Sequence, residues 1–314
     1  MAEGKWVAGL TPGMPVAEAA IVVLAERFAV VREFLPLAAE QPDAGGDHVH
    51  QLRVGTRRAG AALQVFANVF PRKHLRATKR TLRTLRKAAG DARDWDVILA
   101  ALPTAKAFTA SPAKPALDFL LGYAFGERAV AQERLVAATA EAGPLFAKQS
   151  EELPNRARAA GGTDAPANFG VLAGQQLGSL FRALTAGAEA NPTEPAAMHA
   201  LRITAKQLRY AIEIFADCFP PLLKENIYPS VEHVQELLGE VQDATVGTER
   251  LAGIRARVGA VMPKQLTRVK KGIDGLAASF RAKVPAGKKT FAKWRTEWLE
   301  LMTALKLEVL ASTV

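Results

Sequence analysis

The sequence His50-Gln-Leu-Arg53-Val-Gly-Thr-Arg57 recurs 149 positions later as His199-Ala-Leu-Arg202-Ile-Thr-Ala-Lys206. At this offset, without a gap, eleven of the 48 positions from 50 to 97 are identical to their counterparts. The identities include His, Phe, Pro and Gly in register. An internal duplication of this kind determines the architecture, because each copy folds into a similar unit. It also doubles any chemistry that the repeated histidine and cations perform.

Composition sets the broad class of the protein. Its 314 residues suffice for two domains of ordinary size. Lys and Arg number 41 against 31 Asp and Glu, a net charge of +10, which indicates an anionic partner. The single cysteine, Cys218, excludes an intramolecular disulfide and fits a reducing cytoplasm. The N-terminal stretch lacks the apolar segment of a signal peptide, and no window is long and apolar enough for a membrane span.

The chain is predicted to be all-α. Apolar residues recur at helical spacing, and the alternating pattern of strands is absent. Glycines and prolines predict the helix ends. The predicted helices are Val16–Leu37, His48–Phe70, Pro71–Gly90, Asp91–Leu102, Ala116–Ala140, Asn168–Ala190, Glu194–Phe219, Pro221–Gly239, Val241–Val258, Lys264–Phe280 and Phe291–Leu310. We therefore expect two tandem, pseudo-symmetric helical bundles at 15–153 and 167–312, joined by a linker rich in Gly, Ala and Pro at 154–166.

The repeated segment places its cations on one helix face. At 100° per residue, the three cationic or imidazole side chains of the first copy fall within about 60°, and the four of the second within about 80°. Like charges aligned in this way repel each other, and a phosphate would compensate them because guanidinium groups bind it through paired hydrogen bonds. These residues are His50, Arg53 and Arg57, and His199, Arg202, Lys206 and Arg209.

Two further regions are basic. Five cations after Pro71 fall within about 80° of one another on a helical wheel: Arg72, Arg76, Lys79, Arg83 and Arg86. Residues 47–96 carry a net charge of +8, whereas their counterparts 196–245 carry −3, so the extended basic surface belongs to the first copy. The region from Pro263 to Arg295 holds ten cations and one acid. Either solvation or an extension of the anion-binding surface would explain that region.

The histidines and the repeated aspartates have alternative interpretations. Neither His50 nor His199 has a second His or Cys four residues later, so hydrogen bonding to phosphate is favoured over metal binding. Asp94, Asp96 and Asp243 could serve as metal or acid–base carboxylates. A structural role is favoured for them, either capping a helix or orienting an arginine.

These features together resemble the CHAD family, the conserved histidine α-helical domain. Its hallmark is a repeated His-x-x-Arg-x-x-x-Arg/Lys helix. A later helix then ends in Leu-Gly-x-x-Arg-Asp, or in Leu-Gly-x-x-x-Asp in the second copy, here Gly90/Arg93/Asp94 and Leu238/Gly239/Asp243. The resemblance covers roughly residues 15–305. It implies two bundles around a basic cavity or pore and an association with inorganic polyphosphate, in several members at polyphosphate granules. Gly60 stands where the family commonly has an arginine, as Arg209 does in the second copy.

The sequence thus predicts a non-enzymatic, cytoplasmic polyphosphate-binding protein with no cofactor, no metal and no membrane partner. Phosphate or sulfate would mimic the ligand, and granule proteins are further expected partners. A nucleic-acid-binding protein is the first alternative, although aromatic residues for base stacking are sparse near the basic tracts. A metal-dependent polyphosphate phosphohydrolase is the second. The predicted polyphosphate-binding residues are His50, Arg53, Arg57, Arg58, Lys79, Arg83, Arg86, Arg93, His199, Arg202, Lys206 and Arg209.

Overall fold

A computed structural model describes residues 5–42, 46–108, 114–160 and 168–311, with only the backbone of residues 107, 158–160 and 305–311. Within these ranges it contains eight α-helices and no strand, which confirms the predicted all-α class. The helices are α1 (Val16–Glu40), α2 (Asp47–Val65), α3 (Arg72–Ala101), α4 (Lys114–Ala160), α5 (Phe169–Glu189), α6 (Pro195–Phe215), α7 (Tyr228–Val261) and α8 (Pro263–Ala311). None of these described helices combines the length and apolar character that crossing a membrane requires.

The chain divides into two compact units. Unit 1 comprises Met1–Ala101, Leu121–Gln176 and Tyr210–Pro221, and unit 2 comprises Leu102–Leu120, Leu177–Arg209 and Leu222–Val314. The chain therefore passes between the units within α4, α5 and α6. Residues 154–160 of the predicted linker continue α4, and residues 161–166 lie outside the described part of the chain.

In unit 1, α1 packs on α2, and α2 packs on α3. Gly55 allows the first contact, because a Cβ there would lie only 3.0 Å from Cγ1 of Val30. Phe28 of α1 is fully buried and meets the Phe146 ring edge-on, with the ring centroids 5.4 Å apart. Burying an apolar side chain of this size contributes about 1.5–3 kcal/mol. This packing fixes the position of the faces of α2 and α3 that remain outside the core.

In unit 2, α7 packs along α8. Three aromatic rings of α8 stack in sequence, with centroids 5.8 Å apart between Phe291 and Trp294 and 5.6 Å apart between Trp294 and Trp298. Both indoles are buried and donate hydrogen bonds, Trp294 to the carbonyl oxygen of Ser230 (2.9 Å) and Trp298 to the hydroxyl of Thr185 (3.2 Å). The ladder anchors the C-terminal half of α8.

The helix ends predicted at Gly90 and Gly239 are wrong, since α3 continues to Ala101 and α7 to Val261. A glycine inside a helix costs about 1 kcal/mol relative to alanine. Buried apolar residues follow on both helices, Ala92 on α3 and Ala244 on α7, so packing extends past each glycine.

Three other predicted ends also differ from the structure. The helix predicted to end at Phe70 ends at Val65, and the one predicted to end at Ala140 continues to Ala160. The predicted break between Phe280 and Phe291 is absent, because α8 runs through Pro285. Gly287 lies directly against Val241 of α7, where a Cβ would not fit. Close packing on α7 thus offsets the helix-breaking tendency of the proline.

Candidate functional site

The repeated arginine of unit 1 lies on the backbone of α3. Nη1 of Arg53 donates hydrogen bonds to the carbonyl oxygen of Gly90 (3.1 Å) and to Oδ1 of Asp94 (2.9 Å). A Cβ at Gly90 would lie 3.3 Å from this nitrogen, closer than it would normally come. The glycine therefore admits the guanidinium group to the middle of α3. Of the two structural roles left open for Asp94, orienting an arginine is confirmed.

His50 lies one turn before Arg53 on α2 and is half-buried. Burial lowers its pKa below the usual 6.5, and the positive charges of Arg93, Arg53 and Arg57 lower it further, while Asp47 opposes them. Four of the predicted binding residues thus interact electrostatically within unit 1. The imidazole is mostly neutral near pH 7, and a nearby anion would favour its charged form.

The second copy, in unit 2, has a similar arrangement with one difference. Arg202 of α6 lies over Gly239 of α7, where a Cβ would stand 3.6 Å from its Nε and 3.8 Å from Nη2. The Nε is buried and has no hydrogen-bond partner among the residues that the structure describes. A buried donor without an acceptor costs about 1–3 kcal/mol. An acceptor oxygen from a ligand would relieve that cost.

The other predicted residues of α6 vary in their surroundings. Arg209 is largely buried, and its Nη1 contacts Oε1 of Glu232 at 3.2 Å, an oxygen that also accepts a hydrogen bond from Tyr228 (3.1 Å). Lys206 is half-buried and His199 is exposed. On α6 all four predicted residues lie on one face, as their spacing requires. Glu232 was not among the predicted site residues, since nothing in its spacing links it to Arg209.

Arg58 differs from the other predicted residues because it belongs to the core of unit 1. Its Nε lies 2.8 Å from Oε2 of Glu213, and the two side chains are 6% and 0% exposed. Arg27, 2% exposed, lies in the same cluster: burial lowers its pKa to about 10, Glu213 opposes this shift, and Arg58 adds to it. We therefore leave Arg58 out of the proposed site. A charged residue within each apolar helix pattern, at 27 and at 213, was the available sequence signal.

Comparison with known proteins identifies the family. A sequence model of the CHAD domain matches residues 22–252 of the chain. The chain belongs to the CHAD family. The match includes both His-Arg segments and both mid-helix glycines described above.

Two solved structures are similar to this CHAD chain. The CHAD domain from the plant Ricinus communis shares 22% identity, with 93% of this chain and 95% of that chain covered and a TM-score of 0.76. PptA from Streptomyces chartreusis shares 16% identity, with 90% and 99% covered and a TM-score of 0.68. At these identities the likeness concerns the fold. A search of curated proteins found no match.

The surroundings of Gly60 and of Asp96 bear on what this CHAD chain can bind. Apart from its own helix, none of the described residues comes within 4 Å of the place where a Cβ of Gly60 would stand, so a side chain could begin there without a clash. Asp96 is held by Arg128, with Nε 2.5 Å from Oδ1. Within the described residues, no group of three or more His, Cys, Asp or Glu side chains is placed to hold a metal ion.

The remaining predicted residues lie on α3. Arg83 and Arg86 are exposed, and Arg93 is half-exposed near His50. Lys79 is half-buried, and burial lowers its pKa. These positions form a basic surface that adjoins the Arg53 contact along the same helix.

Proposed function

We propose that this chain binds inorganic polyphosphate without cleaving it. The observation that carries the proposal is the repeated contact between an arginine and a mid-helix glycine, Arg53 on Gly90 and Arg202 on Gly239. In the first copy the glycine gives the arginine room, because a Cβ at Gly90 would lie 3.3 Å from Nη1 of Arg53, whereas a Cβ at Gly239 would make only ordinary contacts. In the second copy the buried Nε of Arg202 lacks an acceptor among the described residues, and an oxygen of a bound anion would supply one.

Electrostatics supports the same ligand. In unit 1 the pKa of His50 is lowered first by burial and then by the positive charges of Arg93, Arg53 and Arg57, with Asp47 opposing them, and a site with three cations to one carboxylate favours an anionic ligand. Guanidinium forks match phosphate oxygens in geometry and charge. Polyphosphate offers a continuous series of such oxygens and no bases, and the CHAD resemblance associates the family with this polymer. The proposal extends to a cytoplasmic protein that associates with polyphosphate granules.

Binding is favoured over hydrolysis by the state of the carboxylates. Asp94 is bound by Arg53 and Asp96 by Arg128. A hydrolase that uses a divalent cation would gather such carboxylates around the metal. Incubation of polyphosphate with the protein and Mg²⁺ or Mn²⁺ is therefore expected to leave the chain length unchanged. Shortening that Asp94→Asn abolishes would instead support the phosphohydrolase alternative.

The deciding experiment is a titration with long-chain polyphosphate and, in parallel, with double-stranded DNA at several salt concentrations. We expect the polyphosphate complex to persist at salt concentrations that release DNA. Equal affinities and equal salt dependence would indicate a general polyanion surface, and no polyphosphate binding would refute the proposal.

A pair of double variants tests the site. Arg53→Ala with Arg202→Ala should weaken polyphosphate binding by at least about tenfold, because two charge-assisted contacts are lost. Lys288→Ala with Lys289→Ala removes the same charge from exposed positions on α8 and should weaken it only a few-fold. Equal losses would contradict a defined site.

A further inference from the structure

Five cations of α3 form an exposed row on unit 1, which we call the α3 stripe. Four are exposed and Lys79 is half-buried. None of the five side chains makes a hydrogen bond or an ion pair with another residue that the structure describes. Leu75, Leu82 and Leu85 are buried and cluster to one side of the stripe on the helix surface, so the core of unit 1 lies beside the stripe and the stripe itself stays outside that core. The stripe consists of Arg72, Arg76, Lys79, Arg83 and Arg86.

The stripe is continuous with the Arg53 contact. Gly90 follows Arg72 by 18 residues, or five full turns, so it lies on the same line of the helix surface. Arg53 binds the carbonyl oxygen of that glycine, and Arg93 lies less than one turn further on. At 1.5 Å per residue, the line from Arg72 to Gly90 is about 27 Å long.

The stripe is unfavourable in the free protein. Neighbouring members stand three or four residues apart, where like charges repel and destabilise a helix. The carboxylates of α3, at 91, 94 and 96, come only after the last stripe residue. Burial also lowers the pKa of Lys79, so its charged form is disfavoured without an anion. A linear anion lying along the stripe would offset all of these costs.

The second copy has no such row. At the offset of 149, the five stripe positions correspond to Pro221, Glu225, Tyr228, Glu232 and Gln235. Glu232 faces Arg209 and neutralises a cation rather than adding one. The stripe is therefore a property of unit 1 and not of the repeated segment.

We infer that the α3 stripe and the Arg53 face form one linear track that selects long polyphosphate chains over short ones. This inference rests on the proposed function and adds a chain-length dependence to it. A short ligand occupies the face around Arg53 and His50. A chain that spans about 27 Å also contacts the stripe and gains affinity from each added ion contact.

The track favours polyphosphate over nucleic acid. Base stacking requires aromatic rings along a basic groove. The tryptophan of α3, Trp95, packs against Tyr123 with ring centroids 6.1 Å apart. The stripe itself carries guanidinium and ammonium groups alone.

The test compares tripolyphosphate with long-chain polyphosphate on two double variants. Arg72→Gln/Arg76→Gln interrupts the stripe at the end that lies far from Gly90. The matched control, Lys264→Gln/Lys271→Gln, removes the same charge from exposed positions of α8 in unit 2. Thermal unfolding followed by circular dichroism establishes that both variants fold.

We expect the stripe variant to lose at least about tenfold in affinity for the long chain, and its salt slope to fall by about one per cation removed. Its affinity for tripolyphosphate should stay within about twofold of the original protein, and the control variant should change little with either ligand. Equal losses for both ligands, or no loss for the long chain, would overturn the track and leave polyphosphate binding intact. An equal loss for double-stranded DNA would reclassify the stripe as a general polyanion surface. Failure of the unaltered protein to bind either phosphate would refute the proposed function itself.

Discussion

Replacing Glu213 by glutamine should destabilise unit 1 strongly. Glu213 is fully buried and is bound by Arg58 through contacts of 2.8 and 3.4 Å. Arg27 lies in the same cluster, 2% exposed, with its pKa lowered to about 10 chiefly by burial. Glu213→Gln would remove the carboxylate that pairs with Arg58 and opposes the burial of Arg27. Removing one partner of a buried pair costs about 3–5 kcal/mol.

Urea unfolding followed by circular dichroism measures this loss. A matched control is Glu232→Gln, which removes the partner of Arg209 where the two side chains remain 28% and 14% exposed. Its expected loss is about 1 kcal/mol or less. Adding Arg27→Met to Glu213→Gln should restore part of the stability, because it removes one of the two buried cations. A Glu213→Gln protein within about 1 kcal/mol of the original would refute this account of the cluster.

Three further predictions concern the candidate site. Gly60→Ala should raise the free energy of unfolding by about 0.5–1 kcal/mol, since its Cβ meets open space. In a polyphosphate titration, Gly60→Arg should bind a few-fold more tightly than Gly60→Ala. Gly90→Ala should displace Arg53 and weaken polyphosphate binding a few-fold, whereas Gly239→Ala should weaken it less because its Cβ would make ordinary contacts. Titration of both variants with polyphosphate measures the two losses, and a larger loss for Gly239→Ala would contradict the site. Burial and the neighbouring arginines lower the pKa of His50 in the free protein, and a bound anion raises it, so binding takes up a proton. Affinity should therefore rise as the pH falls through the pKa of the bound form, and level off below the pKa of the free form. Calorimetry in two buffers should show no such proton uptake in His50→Gln.

The sequence predicted the all-α class and most helix positions because apolar periodicity reports directly which face of each helix is buried. It failed at Gly90 and Gly239 because helix packing continues past both glycines, and local sequence does not show that. At Gly90 the glycine also lets a second group approach the backbone, whereas a Cβ at Gly239 would make ordinary contacts. The identity of the approaching group, Arg53 in one copy, becomes visible only when α2 and α3 pack together.

The candidate site was partly predictable for a related reason. Residues on a single helix, such as His50 and Arg53, could be placed on one face from spacing alone. The partner of Arg58 could not, because Glu213 is 155 positions away in sequence and has no spacing relation to it. Arg58 was therefore predicted to bind polyphosphate together with its basic neighbours, although it is buried and belongs to the core of unit 1.

The tryptophan ladder of α8 gives unit 2 an optical signature of its own. Trp294 and Trp298 stack with centroids 5.6 Å apart and ring planes 19° apart, and both belong to unit 2. Two indoles so close couple their electronic transitions, and the coupling produces a paired positive and negative band in the circular dichroism spectrum. Trp6 and Trp95 belong to unit 1. The paired band should therefore vanish when unit 2 unfolds and persist while only unit 1 is lost, so one unlabelled sample reports which half of the molecule a given variant has damaged.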